Sequence, residues 1–191
     1  MRQTSFEEIL VVHASPVLAK LKPSALLSFS RDDYPQLPLL AQRYSAAFRQ
    51  QGLVFEIVCR CKRHFLLLVY RPILLERRLD EPEVSHCLSR FGYPASGFPA
   101  KMKHLRRRLR ESRSFPHEIG LFLGYPTRDV LAFLGELPGT CKLCGYWKVY
   151  FDEEEARRIF ARYDRCRDTY CAAYRMGQSV SQLLELPLPA A

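Results

Sequence analysis

Four residues combine the side chains and spacing that soft-metal or thiol chemistry requires: His117, Cys141, Cys144 and Cys166. Thiolates and imidazole are ligands for zinc and iron, and a thiolate is also the nucleophile of thiol–disulfide exchange. Cys141-x-x-Cys144 has no second Cys-x-x-Cys and no His-x-x-x-His to complete a structural zinc site, so ligands must be gathered from afar. From Cys144 to Phe151 is seven residues, about 23 Å of strand, and from Asp152 to Cys166 is fourteen, about 21 Å of helix. A helix folded back on its strand therefore brings the two thiols to one level. The expected site joins His117, Cys144 and Cys166 around iron or zinc, or for thiol chemistry, with Cys141, water or a substrate in the fourth position.

The elements that must position these groups are read from pattern. Glu118 to Leu123 is a short apolar run before Gly124-Tyr125-Pro126, the signature of a buried strand leaving into a turn. Thr127 is read as the N-cap of a short helix with Asp129 in its first turn. Lys142 to Tyr150, rich in aromatic and β-branched residues, reads as a second strand. Strand, helix and strand make a right-handed βαβ unit with parallel strands. Asp152 with Glu155 opens a long helix to about Met176, stopped by Gly177, with Ile159, Tyr163, Cys166 and Tyr170 on one stripe.

Upstream, Ser5 caps a helix expected to end before Pro16, and Ala25 to Phe29 reads as an edge strand. Between Leu53 and Cys61, alternation places Phe55, Ile57, Cys59 and Cys61 on one inward face, which gives the two cysteines a packing role. Lys62-Arg63 turns this strand into His64 to Tyr70, apolar on both faces and so near the sheet centre. The expected fold is a single α/β domain over residues 1–191, with a mixed four- to five-stranded sheet. That sheet consists of one antiparallel hairpin plus the C-terminal βαβ unit, flanked by helices.

Two other surfaces are candidates. Lys101, Lys103, Arg106, Arg107, Arg108 and Arg110 surround a narrow stripe of Met102, Leu105 and Leu109 on a helix, with Arg113 just beyond. With a net charge of +9, such a surface suits nucleic acid or an acidic protein partner. Gly124, Tyr125 and Thr127 lie where backbone N–H groups at a helix start would hold an anion. There is no Walker loop, no Gly-x-Gly-x-x-Gly, no Gly-x-Ser-x-Gly and no His-Glu-x-x-His. Seven cysteines, no basic leader and no long apolar run lead us to expect a cytoplasmic protein with free or metal-bound thiols and no membrane span.

The strings HEIGLFLGYPTRDVLAF and KLCGYWKVYFDEEEARRIFARYDRCRD, with HASPVLAKLKPSALLSF and LLLVYRP, are those of a bacterial family. Over most of its length the chain resembles domain of unknown function three-seven-nine-three, common in anaerobic Firmicutes. The resemblance implies His117, Cys144 and Cys166 as part of the family pattern, while Cys141 is not. It carries no activity. Neighbouring flavodoxin and ferrous-iron transport genes in the family imply an iron- or redox-linked accessory role, with a flavodoxin-like or iron-handling partner. The alternative is a binding module that uses the basic helix of residues 101–113.

Overall fold

The computed structural model describes residues 4–95, 97–111 and 114–187. Three strands, β1 (Ser24–Ser30), β2 (Val54–Arg60) and β3 (His64–Tyr70), form an antiparallel sheet in the order β1-β3-β2. β3 takes the centre, as its sequence requires: Phe65, Leu67 and Val69 enter one core while Leu68 and Tyr70 enter the other. β1 is the expected edge strand, one residue longer at each end.

Helices cover both faces of this sheet. On one side α1 (Phe6–Leu18), α2 (Leu37–Ala47), the later turns of α8 (Glu153–Arg175) and α9 (Val180–Leu183) enclose Leu10, Phe29, Leu67 and Tyr170. On the other, α3 (Pro72–Asp80), α4 (Pro82–Arg90), α5 (Phe98–Glu111), α6 (Ile119–Phe122) and α7 (Thr127–Phe133) enclose Leu68, Leu75, Leu105 and Phe122. Arg71, at the exit of β3, links the layers. Its guanidinium donates to the carbonyls of Val17 (2.6 Å), Leu18 (2.5 Å) and Gln51 (2.8 Å), closing the C-terminal end of α1.

The local signals at helix ends hold. Ser5 accepts from the Glu8 N–H at 3.0 Å and Asp152 from the Glu155 N–H at 3.1 Å, and Gly177, at φ +90°, follows the end of α8. α1 nevertheless runs through Pro16 to Leu18 and does not stop before it.

The C-terminal half corrects the expected sheet. Glu118–Leu123 is not a strand: Ile119–Phe122 is one helical turn, with the Leu121 N–H donating to the Glu118 carbonyl and Leu123 to Ile119. A six-residue apolar run fits a buried helical turn as well as a strand, and this one has a single β-branched residue, Ile119. Lys142–Tyr150 is not one strand either. It forms a ribbon of two short antiparallel strands, β4 (Leu143–Cys144) and β5 (Lys148–Val149), reversing over Gly145 to Trp147. Glycine inside a strand pattern weakens it. Here an added Cβ at Gly145 would lie 2.3 Å from the Phe160 ring, so the reversal is pressed against α8. Among the described residues there is therefore no βαβ unit, and the mixed four- to five-stranded sheet becomes an antiparallel three-stranded sheet plus a separate ribbon. A third small core, of Trp147, Val149, Ala156, Phe160 and Tyr163, fastens that ribbon to α8.

Strict alternation also fails along β2. Its register shifts between Ile57 and Cys59, a β-bulge that turns the strand over. Phe55 and Ile57 pack on the first core, and Cys59 and Cys61 on the second.

Candidate functional site

A cavity of about 240 Å³ opens where α6, α7 and the ribbon meet. Ile119, Gly120, Leu123 and Val130 form an apolar floor and Trp147 a wall, while Phe115, His117, Phe133 and Lys148 stand exposed at the mouth. Gly120 sets the depth: a Cβ there would lie 3.0 Å from Val130 Cγ2 and 3.1 Å from Tyr125 Cδ2. The His117 ring meets Phe133 edge-on with centroids 5.0 Å apart and lies 5.5 Å from Phe115. Tyr125 stacks on Trp147 at 5.4 Å, and Lys148 Nζ sits 5.4 Å from the Phe133 centroid.

Asp129 orders this wall and spends its charge in doing so. The Trp147 indole N–H donates to Oδ2 at 2.8 Å, and the backbone N–H groups of Tyr150 and Phe151 donate to Oδ1 at 2.9 and 3.2 Å. With three donors on a buried carboxylate, Asp129 is a positioning group and not a free base. Burial pushes the Tyr125 hydroxyl up to about 12, so it stays a neutral phenol at physiological pH. Lys148 is the lysine that lines the mouth. In the sequence Asp129 reads as a first-turn carboxylate alone, and Trp147 and Lys148 read as strand residues. Their convergence depends on the ribbon, whose only sequence signal was Gly145 inside an aromatic run.

The sequence-predicted metal residues do not gather. His117 lies at the cavity mouth; Cys141 and Cys144 are exposed on the ribbon, with Cys141 Sγ 3.4 Å from the Leu143 carbonyl. Cys166 is 0% exposed in the first core, and burial pushes its thiol up to about 11. The donor types suit zinc or iron, but among the described residues no three His, Cys, Asp or Glu side chains are placed to share a metal ion. A strand continuing from Cys144 to Phe151 would bring the two thiols level, but the chain reverses after Cys144.

On α5, half of the predicted basic surface is turned to the fold. Lys101 is 1% exposed and donates to the Leu79 carbonyl (2.9 Å) and Asp80 Oδ1 (2.7 Å). Arg106 pairs with Glu56, and Arg108 with the buried Glu118 at 2.8 Å. Lys103, Arg107 and Arg110 remain exposed on one stripe beside a groove of about 360 Å³ walled by Gly92 and Pro94. Arg113 lies outside the described residues.

At the proposed anion turn, the N-cap of α7 is Pro126, and Thr127 is its first helical residue. Gly124 has φ +77° and approaches Pro23 so closely that a Cβ would lie 2.8 Å away, a backbone position that only glycine fills easily. The Tyr125 carbonyl is taken by Arg78 at 2.7 Å. Gly124 and Tyr125 thus hold the α6–α7 turn together, the buried Thr127 hydroxyl finds no hydrogen-bond partner among the described residues, and among those residues no strand ends there to direct a ligand.

The profile of the family described as protein of unknown function (DUF3793) matches residues 10–184. No curated protein and no solved structure matches the chain. Among the described residues no helix is long and apolar enough to cross a membrane.

Proposed function

Because the chain belongs to the DUF3793 family, whose description assigns no activity, we propose a function from geometry: the protein binds a small aromatic acid in the cavity of Trp147 and His117. The observation that carries this reading is the combination of an apolar floor, aromatic walls and a lysine at the mouth. Ligand pockets are mostly apolar with few convergent polar groups, and those for drug-sized molecules span roughly 300–1,000 Å³. At about 240 Å³ this one suits one or two fused rings, not a dinucleotide. The ring would lie between Trp147 and Phe133, its acid group toward Lys148 and His117. A redox-linked accessory role accords with this reading if the ligand is an aromatic electron carrier.

Trp147 is the only tryptophan of the chain, so its fluorescence reports this cavity alone. Titration with benzoate, indole-3-acetate and 2-naphthoate is expected to give saturable quenching by at least one of them, with uncharged analogues binding more weakly. Lys148→Glu is expected to weaken acid binding roughly tenfold, about 1.4 kcal/mol. Linear, unsaturable quenching by every acid up to millimolar concentrations would defeat the proposal.

A second reading is favoured by the stripe Lys103, Arg107 and Arg110: the groove at Gly92 and Pro94 docks an acidic partner, nucleic acid or protein. Three bases support weak, salt-sensitive association. The triple glutamate variant at these positions should abolish retention on a polyanion column that the wild type shows at low salt. Retention unchanged by the variant removes this surface from consideration.

A further inference from the structure

The two cysteines expected to have a packing role lie side by side at the exit of β2. Cys59 and Cys61 are separated by one residue, and their sulfurs lie 2.7 Å apart. In a regular strand such a pair would share a face but point alongside each other, out of bonding range. The bulge between Ile57 and Cys59, followed by the end of β2 at Arg60, brings them together. Both rest against the second core, and the Cys59 thiol donates to the Leu109 carbonyl of α5 at 3.6 Å. Cys59 is buried while Cys61 is half-exposed, so a small molecule meets Cys61 first.

We propose that Cys59-x-Cys61 is a reversible dithiol/disulfide site at the exit of β2, oxidised by low-molecular-weight disulfides. The Cys61 thiolate attacks one sulfur of the small disulfide RSSR, forming Cys61–S–SR and expelling RS⁻, which takes a proton. The Cys59 thiol then loses its proton, and its sulfur attacks Cys61 Sγ, releasing the second RS⁻. The balance is protein dithiol plus RSSR giving protein disulfide plus two RSH, with two electrons passing from the cysteines to the small disulfide. Burial, then the hydrogen bond and charge of Cys61, push the Cys59 thiol up, which assigns the attacking role to Cys61 and the resolving role to Cys59. A dithiol reductant reverses both steps. None of this involves the cavity at Trp147, so the two proposals stand or fall separately.

The test uses the whole reduced protein, equilibrated without oxygen in mixtures of reduced and oxidised glutathione, quenched by alkylation and digested with trypsin. Cleavage falls after Arg60, inside the ring that a Cys59–Cys61 disulfide would close. The oxidised protein is therefore expected to lose the alkylatable thiols of Cys59 and Cys61 and to yield the 50–60 peptide joined to the Cys61-Lys62 dipeptide until reductant is added. Cys59→Ser is expected to trap glutathione on Cys61, and Cys61→Ser to leave Cys59 unoxidised. Full alkylation of both cysteines in excess oxidised glutathione would overturn the proposal. So would a glutathione adduct that persists on Cys61 of the wild type, because the resolving step would then be absent. The readout is made on wild type as well as variants, so it does not depend on any variant folding.

Discussion

Two buried cations show how a single side chain can work for or against this fold. Arg71 finds three carbonyls, at 2.5 to 2.8 Å, and among the described residues no carboxylate. Hydrogen bonds from a charged donor contribute roughly 1.5–3 kcal/mol each, and a buried carbonyl left bare costs about 1–3 kcal/mol. Lysine lacks the fork needed to reach all three, so Arg71→Lys should lower unfolding free energy by about 3 kcal/mol in urea titration. Lys22 is placed less favourably. It is buried, with its ammonium 5.0 Å from the Tyr125 ring, and burial lowers its pKa from 10.5 to about 8. Between those two values the unfolded chain holds more protons than the native one, so the contribution of Lys22 to stability rises as pH rises through that window. Below it, the buried charge destabilises the fold by roughly 3 kcal/mol. Lys22→Met should therefore be more stable than wild type at neutral pH, with the difference shrinking by pH 10.5 in paired urea melts. The buried tyrosines and cysteines, whose raised values act with the opposite sign, cancel in that difference.

At the scale of elements, α5 separates charges that look equivalent in sequence. Its Met102, Leu105 and Leu109 stripe was legible from period alone, but the roles of its six bases were not, because acidic partners come from α3, β2 and the segment before α6. Arg108→Ala should be costly, about 3 kcal/mol, because Glu118 is 1% exposed and would lose the charge that neutralises it. Lys103→Ala should change stability by under about 0.5 kcal/mol, as exposed substitutions usually do. Thermal or urea melts of the two variants check both values. The same division governs what else was readable. The Ser5 and Asp152 caps, the Gly177 stop and the β2–β3 hairpin rest on contacts within a few residues, and the structure keeps them. Glu118–Leu123 and Lys142–Tyr150 were decided by packing: burial on all sides let the first coil into a turn, and Phe160 beneath Gly145 folded the second back. His117, expected to share a metal with Cys144 and Cys166, stands at the mouth of an apolar cavity, and among the described residues no three ligating side chains are placed to share a metal ion. The bulge that pairs Cys59 with Cys61 left no mark in the alternation of β2.

For the molecule as a whole, the three cores are unequal. Two share the central sheet, whereas the third, around Trp147 and Phe160, joins the ribbon to α8 and draws none of its described members from that sheet. The ribbon is held to the rest by the tail of α8 running into the first core, by Leu21 and Tyr125, which pack on the third core as well as on the first and second, and by the buried Asp129 bridging α7 to Trp147, Tyr150 and Phe151. Asp129→Ala removes the acceptor of one buried and two part-buried donors at once, at about 1–3 kcal/mol for each group that finds no water. The loss falls on the ribbon first, because the sheet and its two cores keep every contact. In the wild type, urea transitions followed by Trp147 fluorescence and by far-ultraviolet dichroism should coincide. In Asp129→Ala the fluorescence transition should move to lower urea and separate from the dichroism transition, the sign that two-state unfolding has broken down. Ligand binding read by Trp147 should be lost in the same variant under native conditions, since the cavity wall is the part released. Coincident transitions in Asp129→Ala would mean that the ribbon is coupled to the sheet by contacts stronger than the Asp129 bridge.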